Sequence, residues 1–263
     1  MSRFELDGQP VQIATGGRPF DRHLPTLVLI HGAGMDHTVW AHQARALAHA
    51  GRGVLAVDLP GHAGSTGPAL TTIETMAAWL WRLLDGLGIE RAALAGHSMG
   101  SLVALEAGAL APERTRGLAL LGTVPCMAVH PTMLESAGAG DHRVIDMMVG
   151  WSFGRQSLLG AVGAPGSYLP GGAERLLERG ASQVLASDLA ACAAYEGAMA
   201  AAARITCPAR LILGAEDKMT PPPKAAPLAA ALADSRTILL PGAGHMMMLE
   251  TPAPVTAALM EIA

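Results

Sequence analysis

The chain has 263 residues, of which 51% are hydrophobic and 15% are charged, a balance typical of a globular protein and not of a disordered one. Its net charge of −4 without a basic cluster argues against a nucleic-acid partner, and no run of about eighteen apolar residues predicts a membrane span. The three cysteines are scattered and the first residues contain no apolar signal-peptide core, so we expect a reduced, cytoplasmic protein without disulfides or structural zinc.

Short apolar runs alternate with helical patterns through the first half of the chain. Residues 4–6 and 11–15 flank the turn-forming pair Asp7-Gly8 and predict an antiparallel hairpin. The apolar runs that follow are typical of strands buried on both faces, and they cover 26–30, 54–57, 92–96 and 117–122. Helices are predicted between them, over 40–50, over 71–87 and from the end of the third run to 110. This alternation predicts a mostly parallel sheet with helices on both faces.

The alternation stops between residues 123 and 204, where glycine, proline and methionine become frequent and strand patterns disappear. Helical patches are predicted there near 143–150, 173–186 and 188–203. Strands resume over 209–214 and 236–240, with helices over 222–233 and 245–262. We therefore predict a core of residues 1–122 and 205–263. The 123–204 insertion forms a helical cap over the carboxyl ends of the strands, where such sheets bind ligands.

One motif joins a predicted strand to a predicted helix. The run 92–96 leads directly into Gly96-His97-Ser98-Met99-Gly100, and an alanine- and leucine-rich helical pattern follows. Gly-x-Ser-x-Gly in this context is typical of a nucleophile elbow, in which the glycines remove side chains that would collide in the tight turn. We expect Ser98 to be an exposed nucleophile at a helix start, where the helix dipole favours developing negative charge.

A serine hydroxyl needs a base within hydrogen-bond reach, and in this arrangement an acid and then a histidine follow the nucleophile along the chain. Asp217 comes three residues after the glycine that ends the run 209–214, and His245 follows the last predicted strand. Ser98 is then the nucleophile, His245 the proton carrier and Asp217 the group that orients His245. Glu216 is the neighbouring alternative acid, and spacing favours Asp217.

The negative oxygen that forms during acyl transfer needs backbone donors that are in place before the reaction. The predicted donors are the N–H groups of Met99, which follows the nucleophile, and Ala33, in the loop after the run 26–30, with Gly34 as the alternative to Ala33. We expect no metal site, because the adjacent pair Asp141-His142 is unsuited to face one ion. The candidate substrate-pocket residues are Gly34, Met35, Met127, Trp151 and Met246.

The chain resembles the α/β-hydrolase superfamily over essentially its whole length. The matching motifs, in chain order, are His31-Gly32-Ala33-Gly34, Asp58-Leu59-Pro60-Gly61-His62, the elbow around Ser98, Gly214-Ala215-Glu216-Asp217 and Gly244-His245. It is similar in particular to capped pimeloyl-ester carboxylesterases and to cofactor-free perhydrolases. The resemblance implies an eight-stranded, mostly parallel sheet, no cofactor and a small-molecule ester substrate. A serine elbow excludes the relatives that use an aspartate nucleophile.

The leading hypothesis is a serine hydrolase that cleaves a small to medium carboxylic ester through an acyl-enzyme. Lactone, thioester or C–C bond hydrolysis and perhydrolysis are alternatives on the same triad. A lyase or cofactor-free oxygenase that uses His245 as a base is a second class, and a non-catalytic ligand receptor is a third. The sequence specifies neither the substrate nor the oligomeric state.

Overall fold

The computed structural model describes residues 2–160, 167–180 and 184–263. Its strands are β1 (Ser2–Leu6), β2 (Gln9–Ala14), β3 (Thr26–Ile30), β4 (Gly53–Val57), β5 (Ala92–His97), β6 (Thr115–Leu121), β7 (Ala209–Gly214) and β8 (Ser235–Leu240). They form one eight-stranded sheet in the order β1-β2-β4-β3-β5-β6-β7-β8. β2 pairs antiparallel with β1 and β4, whereas all other neighbours are parallel. The predicted hairpin and mostly parallel sheet are therefore confirmed.

Helices cover both faces of the sheet. The α-helices of the described residues are α1 (Ala41–His49), α2 (Ile73–Gly86), α3 (Met99–Leu110), α4 (Pro131–Ala139), α5 (Arg143–Ser152), α6 (Arg155–Leu158), α7 (Leu169–Gly180), α8 (Ala186–Ala194), α9 (Ala198–Ala202), α10 (Ala226–Ala231), α11 (Met247–Glu250) and α12 (Pro252–Met260). Every residue of β3, β4 and β5 is buried. Because alternate residues of a strand point to opposite faces, the sheet centre is covered on both sides. α1 packs against α12, and α2 packs against α3.

The predicted helix boundaries differ from the observed ones for local reasons. α2 begins at Ile73 because the Thr72 side chain accepts the N–H of Thr75 and so caps the helix. The helix predicted over 245–262 is two helices, α11 and α12, and the second starts at Pro252, which has no N–H to continue the first. The helix predicted over 173–186 corresponds to α7, which ends at Gly180. Residues 181–183 of the predicted helix lie outside the described residues.

The insertion between β6 and β7 is helical in its described parts, as predicted, and it contributes α4 to α9. α4 and α6 were not predicted, and the helix predicted over 188–203 is interrupted between α8 and α9. α8 and α9 both pack against α3, the helix that follows Ser98. The insertion therefore lies next to the elbow. The division into a core and a cap domain at residues 122/123 and 204/205 stays a prediction. None of the helices described here has the length and apolar character needed to cross a membrane.

Candidate active site

Ser98 occupies the turn between β5 and α3 in a backbone conformation that is rare for a residue with a side chain. Its φ is 53° and its ψ is −120°, and such strained residues persist only where the surrounding structure holds them. The flanking glycines permit the turn, because a Cβ on Gly96 would collide with the Gly100 carbonyl group. A Cβ on Gly100 would in turn collide with the carbonyl groups of Ile30 and His31. The turn presents Ser98 at the carboxyl end of the sheet, where it is partly exposed.

Asp217 and His245 form a buried hydrogen-bonded pair beyond the carboxyl ends of β7 and β8. His245 Nδ1–H donates to Asp217 Oδ2 over 2.8 Å, and the hydroxyl of Thr220 donates to the same oxygen over 2.7 Å. Asp217 Oδ1 accepts the N–H groups of Met219 and Thr220, each at 2.8 Å. Burial by itself raises the pKa of Asp217, but the interactions with His245 and Thr220 outweigh it and lower the pKa to about 2. Asp217 is therefore an anion at neutral pH and orients the His245 ring.

The alternative acid, Glu216, is engaged elsewhere. It is exposed, and its Oε2 accepts the N–H of Arg155 at 2.6 Å. Of the two adjacent acids, the structure brings Asp217 to His245. Thr220 was not singled out from the sequence, although a hydroxyl residue three positions after an aspartate is a recognisable turn pattern.

The loop that carries His245 is fixed from two sides. The Glu250 carboxylate accepts the N–H of Gly244 at 2.8 Å and the N–H of Gly154, in the insertion, also at 2.8 Å. The His245 carbonyl oxygen accepts Nε2–H of His97 at 2.9 Å. His97 belongs to β5, so this bond ties the loop directly to the elbow.

Ser98 and His245 line the same cavity, which has a volume of about 380 Å³. His245 commits Nδ1 to Asp217, which leaves Nε2 as the ring nitrogen available to a proton donor. Among the described residues no hydrogen bond joins the Ser98 hydroxyl to His245. Hydrogen bonds between a nucleophile and its base tighten when substrate is bound.

The two predicted oxyanion donors border Ser98. Ala33 lines the cavity, and Met99 is the first residue of α3, where helix N–H groups have no acceptor within the helix. Gly34, the alternative donor, instead donates its N–H to Asp188 Oδ2 over 2.8 Å. The arrangement therefore favours Ala33 and Met99 over Gly34.

A buried ion pair that the sequence did not reveal holds the loop that contains Ala33. Asp188 lies on α8 and is fully buried, and its Oδ2 accepts both the Gly34 N–H and Nε2–H of His62, each at 2.8 Å. His62 Nδ1–H donates to the Pro60 carbonyl oxygen at 3.1 Å. Because both partners are acceptors, both ring nitrogens carry protons and His62 is a cation. Burial alone lowers the pKa of His62, but the Asp188 carboxylate outweighs it and raises the pKa.

His31 completes this network as a neutral ring. Its Nε2 accepts the Leu59 N–H at 3.1 Å, and its Nδ1–H donates to the Gly32 carbonyl oxygen at 2.9 Å. Burial and the adjacent His62 cation lower the pKa of His31 to about 4. The loop that contains Ala33 is therefore fixed both from the core, through His31, and from the insertion, through Asp188.

The predicted pocket residues divide into two groups. Met35, Met127 and Trp151 line the cavity, whereas Gly34 and Met246 are not among its lining residues. The Gly34 N–H instead donates a hydrogen bond to Asp188. Met246 is fully buried, and its N–H donates to a carbonyl oxygen of the insertion. The cavity also has lining residues that were not predicted, namely Ala128, Val129, His130, Pro131, Met133, Met148, Ser152, Leu189, Cys192, Lys218, Met219, Thr220 and Lys224.

Comparison with known proteins gives one family and several relatives. A sequence model of the alpha/beta hydrolase fold family matches residues 25–160. The chain is 28% identical to the putative carbamate hydrolase RutD of Pseudomonas savastanoi pv. phaseolicola, over 90% of this chain and 93% of that protein. It is 42% identical to the dihydrolipoyllysine-residue acetyltransferase component of the acetoin cleaving system of Pseudomonas putida, over 46% of this chain. That match spans only 29% of the length of the acetyltransferase component.

Solved structures resemble the chain along its length. The enol-lactonase of Burkholderia xenovorans LB400 superposes with a TM-score of 0.87 at 26% identity, covering 99% of each chain. The likeness includes the insertion as well as the sheet, because the aligned region covers almost all of each chain.

Proposed function

The chain belongs to the alpha/beta hydrolase fold family, and from this premise we propose that it hydrolyses a carboxylic ester of small to medium size through an acyl-enzyme on Ser98. It is an enzyme of the hydrolase class, as are the relatives that match it along most of its length. The observation that carries the proposal is geometric. A strained, partly exposed serine and a buried Asp217–His245 pair border one cavity.

The first half of the reaction transfers the acyl group to the enzyme. Ser98 Oγ attacks the ester carbonyl carbon while its proton passes to His245 Nε2, and Asp217 stabilises the imidazolium that results. The N–H groups of Ala33 and Met99 hold the negative oxygen of the tetrahedral intermediate. The intermediate collapses when the C–O bond to the alcohol breaks, and the alcohol leaves with the proton from His245.

The second half returns the enzyme to its starting state. A water molecule gives a proton to His245 and attacks the carbonyl carbon of the acyl group on Ser98. The same two N–H groups hold the second oxyanion. The bond to Ser98 Oγ then breaks, the proton on His245 passes back to Ser98, and the carboxylic acid leaves.

The insertion is the cap in this proposal, and it supplies the acyl-binding wall. Its residues Met133, Met148 and Leu189 line the cavity together with Ser98. The cavity volume of about 380 Å³ lies near the lower end of the usual range for small-molecule pockets, which supports a substrate of modest size. A lactone is the second candidate, supported by the likeness to an enol-lactonase at a TM-score of 0.87. It uses the same steps, except that the alcohol formed when the C–O bond breaks remains attached to the acyl group and leaves with it after hydrolysis.

The proposal predicts saturable turnover of p-nitrophenyl acetate and butyrate, with lower efficiency once the acyl group exceeds the cavity. We expect kcat/KM for the decanoate to be about 10-fold or more below that for the butyrate. Met148 is a buried residue of the cavity wall. Its replacement by alanine should enlarge the cavity and so reduce the difference in kcat/KM between the butyrate and the decanoate. The measurement is release of p-nitrophenol across the ester series.

Met199→Ala is the matched control, because Met199 is 43% exposed and does not line the cavity. It should leave the dependence on acyl length unchanged. Absence of turnover for every ester and lactone tested would exclude the hydrolase proposal and favour a lyase, an oxygenase or a receptor.

A further inference from the structure

We propose that the natural substrate carries a carboxylate in addition to its ester group, and that Lys218 and Lys224 bind this carboxylate at the mouth of the cavity. The inference rests on the proposed ester hydrolase activity and specifies its substrate class. It applies to monoesters of dicarboxylic acids and to esters of similar charge.

The charge distribution around the cavity is unlike that of the chain as a whole. The protein has 22 acidic residues against 18 lysines and arginines, and a net charge of −4. The lining of the cavity nevertheless contains no aspartate or glutamate among the described residues. Lys218 and Lys224 are the only lysines of the chain, and both line this cavity. Both lysine ammonium groups of the chain therefore lie at the cavity that Ser98 and His245 also line.

Both ammonium groups are available to a ligand. Lys218 and Lys224 are exposed. In the part of the chain that the structure describes, the ion pairs join acids to arginines and histidines, and none includes a lysine. An unpaired cation at the mouth of a cleft attracts an anionic ligand and orients it.

The segment that carries the lysines is fixed relative to the catalytic residues. Lys218 lies between Asp217 and Met219, and the Met219 N–H donates to the Asp217 carboxylate at 2.8 Å. Lys224 lies in a short 3-10 turn, Pro222–Ala225, preceded by Pro221. Consecutive prolines restrict the backbone. The backbone positions of the two lysines are therefore fixed relative to His245, which Asp217 also orients, and their flexible side chains reach the ligand from these fixed points.

The interior of the cavity is apolar, in contrast to its cationic mouth. Its interior is lined by apolar side chains that include Met35, Met127, Met133, Met148 and Leu189. An apolar interior with a cationic mouth fits an acyl chain that places its ester at Ser98 and its far end, a carboxylate, at the lysines. A neutral ester of the same length fits the interior but leaves both cations without a partner.

The test compares mono-p-nitrophenyl adipate, which carries a free carboxylate, with its methyl ester, which is neutral. We expect wild-type kcat/KM to be about 10-fold higher for the anionic substrate, and the preference to fall as ionic strength rises. Lys218→Gln and Lys224→Gln should each reduce the preference about 3- to 5-fold. Lys218→Glu should reverse it.

Arg236→Gln is the matched control, because Arg236 is an exposed cation on β8 that does not line the cavity. It should leave the preference unchanged. An acyl coenzyme A thioester serves as a third substrate, and a preference for this phosphate-bearing molecule over the adipate ester would overturn the assignment to a carboxylate.

Failure of this inference is distinguishable from failure of the proposed function. If the neutral ester is hydrolysed as well as the anionic one, the carboxylate site is wrong and the hydrolase proposal stands. If neither is hydrolysed, calorimetric binding of monomethyl adipate to the Ser98→Ala variant decides. Binding that weakens about 3- to 5-fold with each lysine substitution supports the site, and binding that is absent or unchanged overturns it.

Discussion

Replacing Ser98 by alanine is expected to reduce kcat for p-nitrophenyl butyrate by about 10⁴- to 10⁶-fold, because its hydroxyl is the group proposed to form the acyl-enzyme. Substrate binding should change little, since Ser98 is one of many residues that line the cavity. Alanine and serine both carry a Cβ, so the backbone strain at φ 53° is about the same for either residue and the variant should fold. The measurement is the steady-state rate at saturating ester, with circular dichroism to verify folding.

Ser152→Ala is the control for this substitution. Ser152 lines the same cavity as Ser98 but lies on α5 and not on the elbow. Its replacement should leave kcat within about 3-fold of wild type, as is usual for a residue that takes no part in the chemistry. Undiminished turnover in the Ser98→Ala variant would contradict the mechanism.

Replacing Asp188 by asparagine is expected to lower the free energy of unfolding by about 3–5 kcal/mol, the usual effect of removing one partner of a buried ion pair. A single oxygen, Asp188 Oδ2, accepts hydrogen bonds from both the Gly34 N–H and the His62 Nε2–H. The amide has one oxygen and no charge, so it cannot compensate the His62 cation. The measurement is urea-induced unfolding.

The size of this effect should depend on pH. The pKa of His62 is raised above its ordinary value of 6.5 in the folded protein. The pairing therefore contributes stability that is complete below pH 6.5 and is lost as the pH rises through the raised pKa. The difference in stability between wild type and Asp188→Asn should accordingly be larger at pH 6 than at pH 9.

The same substitution should also reduce kcat, by about 10- to 100-fold, through the loop that carries the proposed oxyanion donor Ala33. Without the bond from Gly34 to Asp188, the adjacent Ala33 N–H is less well positioned, and small displacements of catalytic groups have effects of this size. Asp146→Asn is the control, because Asp146 is also in the insertion but its side chain is 66% exposed. Equal stability and pH dependence for the two variants would show that the buried pair has no special role.

Features encoded in short stretches of sequence were predictable. The elbow around Ser98 is specified by two glycines at fixed positions between an apolar run and a helical pattern, and the steric reason for both glycines is local. Asp217 and His245 each follow a strand end, which the order of the apolar runs reveals. The strands β3 to β7 were found because buried parallel strands read as continuous apolar runs, whereas β1 and β2 were found from the turn-forming pair between them.

Features that depend on distant contacts were not predictable. Asp188 stands in an alanine-rich run without a motif, and its partners His62 and Gly34 are 126 and 154 residues away in sequence. The helix predicted over 188–203 was too long for a related reason. Its interruption includes Tyr195, whose hydroxyl donates to Glu106 on α3 at 2.6 Å, a contact that no local pattern records.

The residues that line the cavity were also only partly predictable from the sequence. Met246 follows His245 in sequence and was expected in the pocket, but it is fully buried. Adjacent residues in a turn face different directions, so proximity in sequence to His245 does not place a residue in the cavity. Lys218 and Lys224, by contrast, reach the cavity although their significance is visible only once the cavity is known.

The central claim, that Ser98 is a nucleophile activated by His245 and Asp217, is tested most directly by covalent labelling with an alkyl fluorophosphonate. We expect one phosphonyl group on the peptide that contains Ser98, loss of ester turnover in proportion to labelling, and no adduct in the Ser98→Ala variant. Full ester turnover without an adduct on Ser98, or an inactivating adduct on another residue, would contradict the claim.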